Sequence, residues 1–100
     1  MIPAKKSNEL KAAIALVLQH GEGVGMPADD LCVYRDAGGL YAVDFTQVTQ
    51  LEAIDGLTDE QNRQIVEDGE INDYFETPEE AAEEYLKLRL ILKKEGVVIR

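Results

Sequence analysis

The sequence predicts one α+β domain, in which a small antiparallel sheet packs against helices. Three patterns lead to this fold class: an amphipathic stretch at 77–95, a hairpin pattern at 31–45, and short apolar stretches near 70–76 and 97–99. Helices are expected at about 7–20, 58–68 and 77–95. The 100 residues show no repeat or linker, so residues 1–100 are expected to form a single domain.

The first helix is expected to run from Ser7 to His20. Ser7 or Asn8 can cap its start, and Gly21 can end it. The predicted core face has helical spacing and consists of Leu10, Ala13, Ile14, Val17 and Leu18. The remaining surface is also apolar, through Ala12, Ala15 and Leu16. This apolar excess predicts that the helix is sandwiched within the fold or forms the contact of a homodimer.

A glycine-rich segment, GEGVGMPADD, follows at 21–30 and is expected to be a loop. Its alternating glycines invite comparison with phosphate-binding loops. Such loops follow a strand and open a helix, whereas this segment follows a helix and lacks the Lys-Ser/Thr signature. A mobile connection is the favoured interpretation, and a mobile binding loop is the alternative.

Residues 31–45 predict a β-hairpin around the turn sequence DAGG, which begins at Asp36. With a four-residue loop, Tyr34 would face Tyr41, and Cys32 would face Val43. One side of the hairpin would then carry most of its aromatic residues. This predicted core side consists of Cys32, Tyr34, Tyr41, Val43 and Phe45.

The stretch at 46–56 is ambiguous, because its apolar spacing suits a short helix whereas its threonines favour a strand. A short helix is the favoured interpretation. Thr58 and Gln61 then form a capping box, which opens a polar helix that ends near Asp68 at Gly69. The apolar residues of that helix are only Ile65 and Val66, so it is expected to lie on the surface.

A short strand at 70–76 should lead directly into the longest helix, at 77–95. Thr77 is the expected cap of this helix, Pro78 occupies its first position, and Glu80 completes a capping box. Gly96 is the expected stop. The core face is predicted to be Ala81, Tyr85, Leu88 and Leu92, widened by Ala82, Leu86 and Ile91. The last residues, 97–99, are β-branched and are expected to add an edge strand.

The composition limits the partners that the protein can have. The net charge is −10, which disfavours direct binding to nucleic acid or to anionic membranes and favours a basic protein partner. The chain has no apolar run of membrane-spanning length and no signal-peptide core, so a cytoplasmic location is expected. Cys32 is the only cysteine, so no internal disulfide can form.

Residues suited to catalysis are scarce, and we assign no catalytic residue, cofactor or metal site. His20 and Cys32 are the only histidine and the only cysteine, which leaves too few ligands for a zinc site. The sequence leans against an enzyme without excluding one. Five side chains match the spacing of a calcium loop, but the position that requires glycine holds Asp73. The matching residues are Asp68, Glu70, Asn72, Glu76 and Glu79.

The strongest signal is an acidic stretch at 67–84 without a lysine or an arginine. One interpretation is a solvated helix face with acids that favour the helix N-terminus. The other is a docking surface for a basic partner, of which the sharpest form is an inhibitor whose spaced carboxylates imitate the phosphates of a nucleic acid. The candidate partner-binding residues are Glu67, Asp68, Glu70, Asp73, Glu76, Glu79, Glu80, Glu83 and Glu84.

Two functions therefore remain open. The first is a non-catalytic protein-binding domain, either an adaptor or an inhibitor, that uses the acidic stretch. The alternative is a small ligand-binding protein or enzyme with a pocket between the hairpin and the C-terminal helix. In that alternative, Tyr34, Tyr41 and Tyr85 would supply polar tips to an apolar pocket.

Overall fold

The computed structural model describes residues 4–24, 31–46 and 53–96, with side chains from residue 8 onward. Three helices and a three-stranded antiparallel sheet, in the order β1-β2-β3, confirm the predicted α+β class. The elements are α1 (Ala4–Gln19), β1 (Leu31–Arg35), β2 (Tyr41–Thr46), α2 (Asp59–Asp68), β3 (Glu70–Phe75) and α3 (Pro78–Lys94). The predicted strand at 97–99 lies outside the described residues.

Helix α3 packs against α1 and against all three strands of the sheet. The Thr77 hydroxyl accepts a hydrogen bond from the Glu80 backbone N–H at 3.2 Å and donates one to the Glu80 carboxylate at 2.8 Å. The expected capping box is therefore only half formed, because that carboxylate meets the hydroxyl instead of the backbone N–H of Thr77. Gly96 follows the helix at φ +79°, as expected for a stop. The buried face consists of Ala81, Ala82, Tyr85, Leu88 and Leu92.

Helix α1 begins at Ala4, so Ser7 lies inside it instead of capping it. The buried residues are Ile14, Ala15 and Leu18, whereas Ala13, which was predicted to face the core, is exposed. The Gln19 side-chain amide donates to the Glu79 carboxylate at 3.2 Å, which places the end of α1 beside the start of α3. The two helices therefore pack against each other in opposite directions.

The predicted hairpin register is wrong by one residue. Tyr34 pairs with Ala42, and Arg35 pairs with Tyr41. The Asp36 backbone N–H donates to the Leu40 carbonyl at 2.7 Å, which leaves a three-residue loop. The Asp36 carboxylate accepts from the backbone N–H groups of Gly38 and Leu40, each at 2.9 Å, and Gly39 adopts φ +86°. This loop type, a turn that ends in a left-handed residue, is a common hairpin connection.

The change of register moves the core to the other side of the hairpin, because neighbouring residues of a strand point to opposite faces. Val33, Val43 and Phe45 are completely buried on the side that α3 covers. Tyr34 and Cys32 lie on the opposite side, so the predicted grouping of Cys32, Tyr34, Tyr41, Val43 and Phe45 is wrong.

Helix α2 has the predicted capping box, formed by Thr58 and Gln61, and ends at Gly69 with φ +73°. Its buried residues are Gln61 and Ile65, whereas Val66 is exposed. The stretch before α2 differs from the favoured interpretation. Residues 53–56 form a turn instead of a helix, Thr46 ends β2, and residues 47–52 lie outside the described ranges.

The predicted loop at 21–30 contains a piece of sheet. Val24 and Val33 exchange backbone hydrogen bonds of 2.8 and 2.9 Å, so this short bridge extends the outer edge of β1. Gly23 permits the close approach, since an added Cβ would lie 3.1 Å from the Val33 carbonyl oxygen. The rest of the predicted loop, 25–30, is outside the described residues.

Candidate functional site

An open cleft of about 280 Å³ lies where the N-terminal turn of α2, the end of β3 and the middle of α3 meet. The capping box of α2 fixes one wall, because it holds Thr58 and Gln61 at the beginning of the helix. The walls are predominantly polar. They are formed by Thr58, Glu60, Gln61, Asp73, Tyr74, Phe75, Glu84 and Lys87.

The side chain of Gln61 connects the three elements around this cleft. Its carbonyl oxygen accepts a hydrogen bond from the Thr58 backbone N–H at 3.1 Å. Its amide nitrogen donates to the Asp73 carboxylate at 3.1 Å and to the Glu84 carboxylate at 2.6 Å. Gln61 is only 4% exposed, so these contacts satisfy a polar group that would otherwise be costly to bury. Two negative charges from different elements are thereby held around one neutral donor.

Positive charge near the cleft is limited. Lys87 lies 3.9 Å from the Glu84 carboxylate, at the long end of an ion-pair distance. Arg63 binds Glu60 and also Glu67, the latter at 2.7 Å, on the exposed surface of α2. The hydrogen bond from Arg63 lowers the pKa of Glu60 below its ordinary value. The lining thus contains three carboxylates and one ammonium group, and we call Glu60, Asp73 and Glu84 the acidic rim.

The structure distributes the nine predicted partner-binding residues over several surfaces. Asp73 and Glu84 meet at the acidic rim, and Glu80 lies one turn before Glu84 on α3. Glu79 contacts α1 on a different side of α3, through Gln19. The others are exposed at the end of α2, at the two ends of β3 and on the outside of α3. They are Glu67, Asp68, Glu70, Glu76 and Glu83.

Sequence reasoning missed the role of Gln61, and it did not include Glu60 among the candidate partner-binding residues. Gln61 was recognised only as a member of the capping box. A signal was present, because Gln61 precedes the buried Ile65 by four residues and therefore lies on the core face of α2. A glutamine on a core face needs hydrogen-bond partners, and acids on neighbouring elements can supply them.

The three tyrosines of the alternative pocket do not come together. Tyr85 is buried in the core, and Tyr41 packs against that core from the sheet. Tyr34 lies on the other face of the sheet, where its hydroxyl donates to the Asp44 carboxylate at 2.6 Å. This hydrogen bond, with burial as a smaller cause, raises the pKa of Tyr34 far above its ordinary value. The interval between the hairpin and α3 is filled by core side chains such as Val43 and Leu88.

The side chains considered for catalysis or metal binding are also separated. His20 is exposed at the end of α1, and Cys32 is buried opposite Asp44 in the sheet. The five residues with calcium-like spacing are spread over three elements: Asp68 ends α2, Glu70 and Asn72 lie on one face of β3, Glu76 follows β3, and Glu79 lies in the first turn of α3. Among residues 4–24, 31–46 and 53–96, no three histidine, cysteine or acidic side chains are arranged to hold a metal ion.

The chain matches no protein-family model, no curated protein and no solved structure. Within the part of the chain that the structure describes, no helix combines the length and the apolar character needed to cross a membrane.

Proposed function

We propose that the protein is a non-catalytic binding domain that docks a basic partner protein at the acidic rim. The supporting observation is the position of Asp73 and Glu84 around the amide of Gln61. The amide fixes both carboxylates but does not neutralise them. A lysine or arginine side chain of a partner would find two fixed acceptors there, and charge-assisted hydrogen bonds are the stronger kind.

The surroundings of the rim support the same proposal. Glu80 adds a further carboxylate on the same side of α3, and the whole chain carries a net charge of −10. Such a field increases the rate of encounter with a basic protein and repels nucleic acid. An inhibitor that occupies the nucleic-acid site of its partner would use this chemistry, as would an adaptor in the cytoplasm.

Charge neutralisation at the rim tests this proposal. The rim variant combines two changes at the acidic rim, Asp73→Asn and Glu84→Gln, with Glu80→Gln one turn before Glu84 on α3. The new side chains keep an oxygen acceptor toward Gln61 and Thr77 but remove three charges. A matched control combines Glu9→Gln, Glu22→Gln and Glu95→Gln. These three are exposed acids away from the cleft with no side-chain hydrogen bond or ion pair to another described residue. Both variants therefore have the same net charge.

The measurement is affinity capture from a lysate of the source organism, followed by mass spectrometry. The wild-type protein and the control are expected to retain a basic protein at about 0.1 M salt and to lose it at about 0.5 M, because salt screens exposed charges. The rim variant is expected to retain much less of it. Equal retention by the rim variant and the control would contradict the proposal.

A further inference from the structure

Strand β3 is an edge strand whose outer side is only half covered by described residues. It pairs with β2 alone among residues 4–24, 31–46 and 53–96. The Asn72 backbone N–H points away from β2 and donates to the Gln64 side-chain oxygen at 2.9 Å. Gln64 of α2 therefore occupies the position that a carbonyl of a fourth strand would take.

The backbone N–H and C=O groups of Tyr74 point away from β2, as those of Asn72 do. In an antiparallel pair, alternate residues direct their N–H and C=O groups to the same side. The neighbouring Asp73 is opposite Val43 and turns its backbone groups toward β2. The outward N–H of Tyr74 has no partner among the described residues, and the residue is 51% exposed. Unpaired edges of this kind are templates for an added strand.

The cleft opens beside this part of the edge of β3. Tyr74 lines it together with Asp73 and Glu84. Its volume, about 280 Å³, lies below the range of roughly 300–1,000 Å³ that is typical of small-molecule sites. A cleft of this size suits one long side chain of a macromolecular partner, and its acidic rim selects a positive one.

Resting on the proposed function, we propose that the basic partner docks as an extended segment. Its backbone pairs with the outer edge of β3 at Tyr74, and a lysine or arginine side chain enters the cleft between Asp73 and Glu84. Backbone hydrogen bonds then supply affinity, while the acidic cleft supplies the preference for a basic residue. The occupant is a protein segment in strand conformation, instead of a helix laid on α3.

A short synthetic peptide in which lysine alternates with valine tests this inference. Two further versions of the peptide carry N-methyl groups on alternate backbone amides, one version on the odd-numbered and the other on the even-numbered residues. Each version can no longer pair as a strand along one of its two edges, but it keeps its charge. All three are titrated into isotope-labelled protein, and backbone and side-chain amide signals are followed by NMR. The variant Asp73→Asn with Glu84→Gln is titrated in parallel, and its amide spectrum shows whether it is folded.

The unmodified peptide is expected to shift the signals of Asp73, Tyr74 and Phe75 and the side-chain amide of Gln61. One methylated copy should bind about tenfold more weakly, and the Tyr74 amide should gain protection from hydrogen exchange. Equal affinity of all three peptides, shifts confined to the outer face of α3, or no binding would overturn the inference. A different result would contradict the proposed function: the variant Asp73→Asn with Glu84→Gln would bind the peptide with the same affinity as the wild-type protein.

Discussion

At the scale of single residues, Gln61 is the side chain on which the site depends most. It is buried, and it contacts the cap of α2, β3 and α3 through one amide group. A neutral donor at this point separates two carboxylates that would otherwise repel each other. We therefore regard Gln61 as a positioning residue of the proposed docking site.

Replacement of this amide by a carboxylate should destabilise the protein. Gln61→Glu would place a third negative charge between Asp73 and Glu84 and remove their shared donor. We expect a loss of about 2–4 kcal/mol in the free energy of unfolding at neutral pH. Urea unfolding measures this loss, with Gln61→Met as the uncharged control of similar size. The deficit should shrink near pH 4, where carboxylates become protonated. A deficit that is independent of pH would contradict the electrostatic explanation.

Tyr34 allows a prediction about alkaline pH. Its hydrogen bond to Asp44 raises its pKa above the ordinary value of 10.0, so the folded state keeps a proton that the unfolded state loses. The stability that this pair contributes is therefore complete below pH 10 and declines as the pH rises above it. Tyr34→Phe should cost about 1–2 kcal/mol at neutral pH, since it leaves the partly buried Asp44 without its donor.

The free energies of unfolding of the wild-type protein and of Tyr34→Phe, measured at a series of pH values, test this prediction. The free energy difference between them should narrow above pH 10, the ordinary value for tyrosine. A difference that stays constant up to the pH of alkaline unfolding would show that the hydrogen bond does not control the ionisation of Tyr34. Comparison of the two proteins removes the contributions of the other tyrosines and of the lysines.

At the scale of elements, the hairpin turn determines which residues form the core. Gly39 has φ +86°, a conformation that residues with a Cβ adopt at a cost, whereas Gly38 has no positive φ. Gly39→Ala should therefore lower the free energy of unfolding by about 1–2 kcal/mol. Gly38→Ala is the matched control and should change it by less than about 0.5 kcal/mol. Equal effects in chemical denaturation would contradict the observed loop type.

The same turn shows where prediction from sequence reaches its limit. Helices α2 and α3 were predictable because their caps, Thr58 and Thr77, and the stops Gly69 and Gly96 are local signals that the structure confirms. The hairpin itself was predictable, but its register was not. The sequence DAGG permits loops of three or four residues, and a difference of one residue reverses the faces of both strands.

The candidate site was only partly predictable for a related reason. An acidic stretch is visible in the sequence, and Asp73 and Glu84 belong to it. Their meeting depends on how α2 packs beside β3, which no local pattern specifies. Gln61 was visible only as a cap residue, since its hydrogen bonds to Asp73 and Glu84 are long-range contacts.

At the scale of the whole molecule, self-association through α1 stays a prediction. The face of α1 turned away from α3 is apolar at Ala12, Ala13 and Leu16, and Leu16 is 55% exposed. If this face joins two copies, light scattering should give a dimer mass, and Leu16→Glu should give a monomer mass. A monomer mass for the wild-type protein at high concentration would contradict the dimer.

The net charge of −10 favours the docking of a basic partner at the acidic rim. The most direct test is calorimetric titration of the captured partner against the wild-type protein, the rim variant and the control variant, at several salt concentrations. We expect the rim variant to bind at least about tenfold more weakly than the control at about 0.1 M salt, with the two converging near 0.5 M. Equal affinities of the two variants, or an affinity that does not change with salt, would contradict this function.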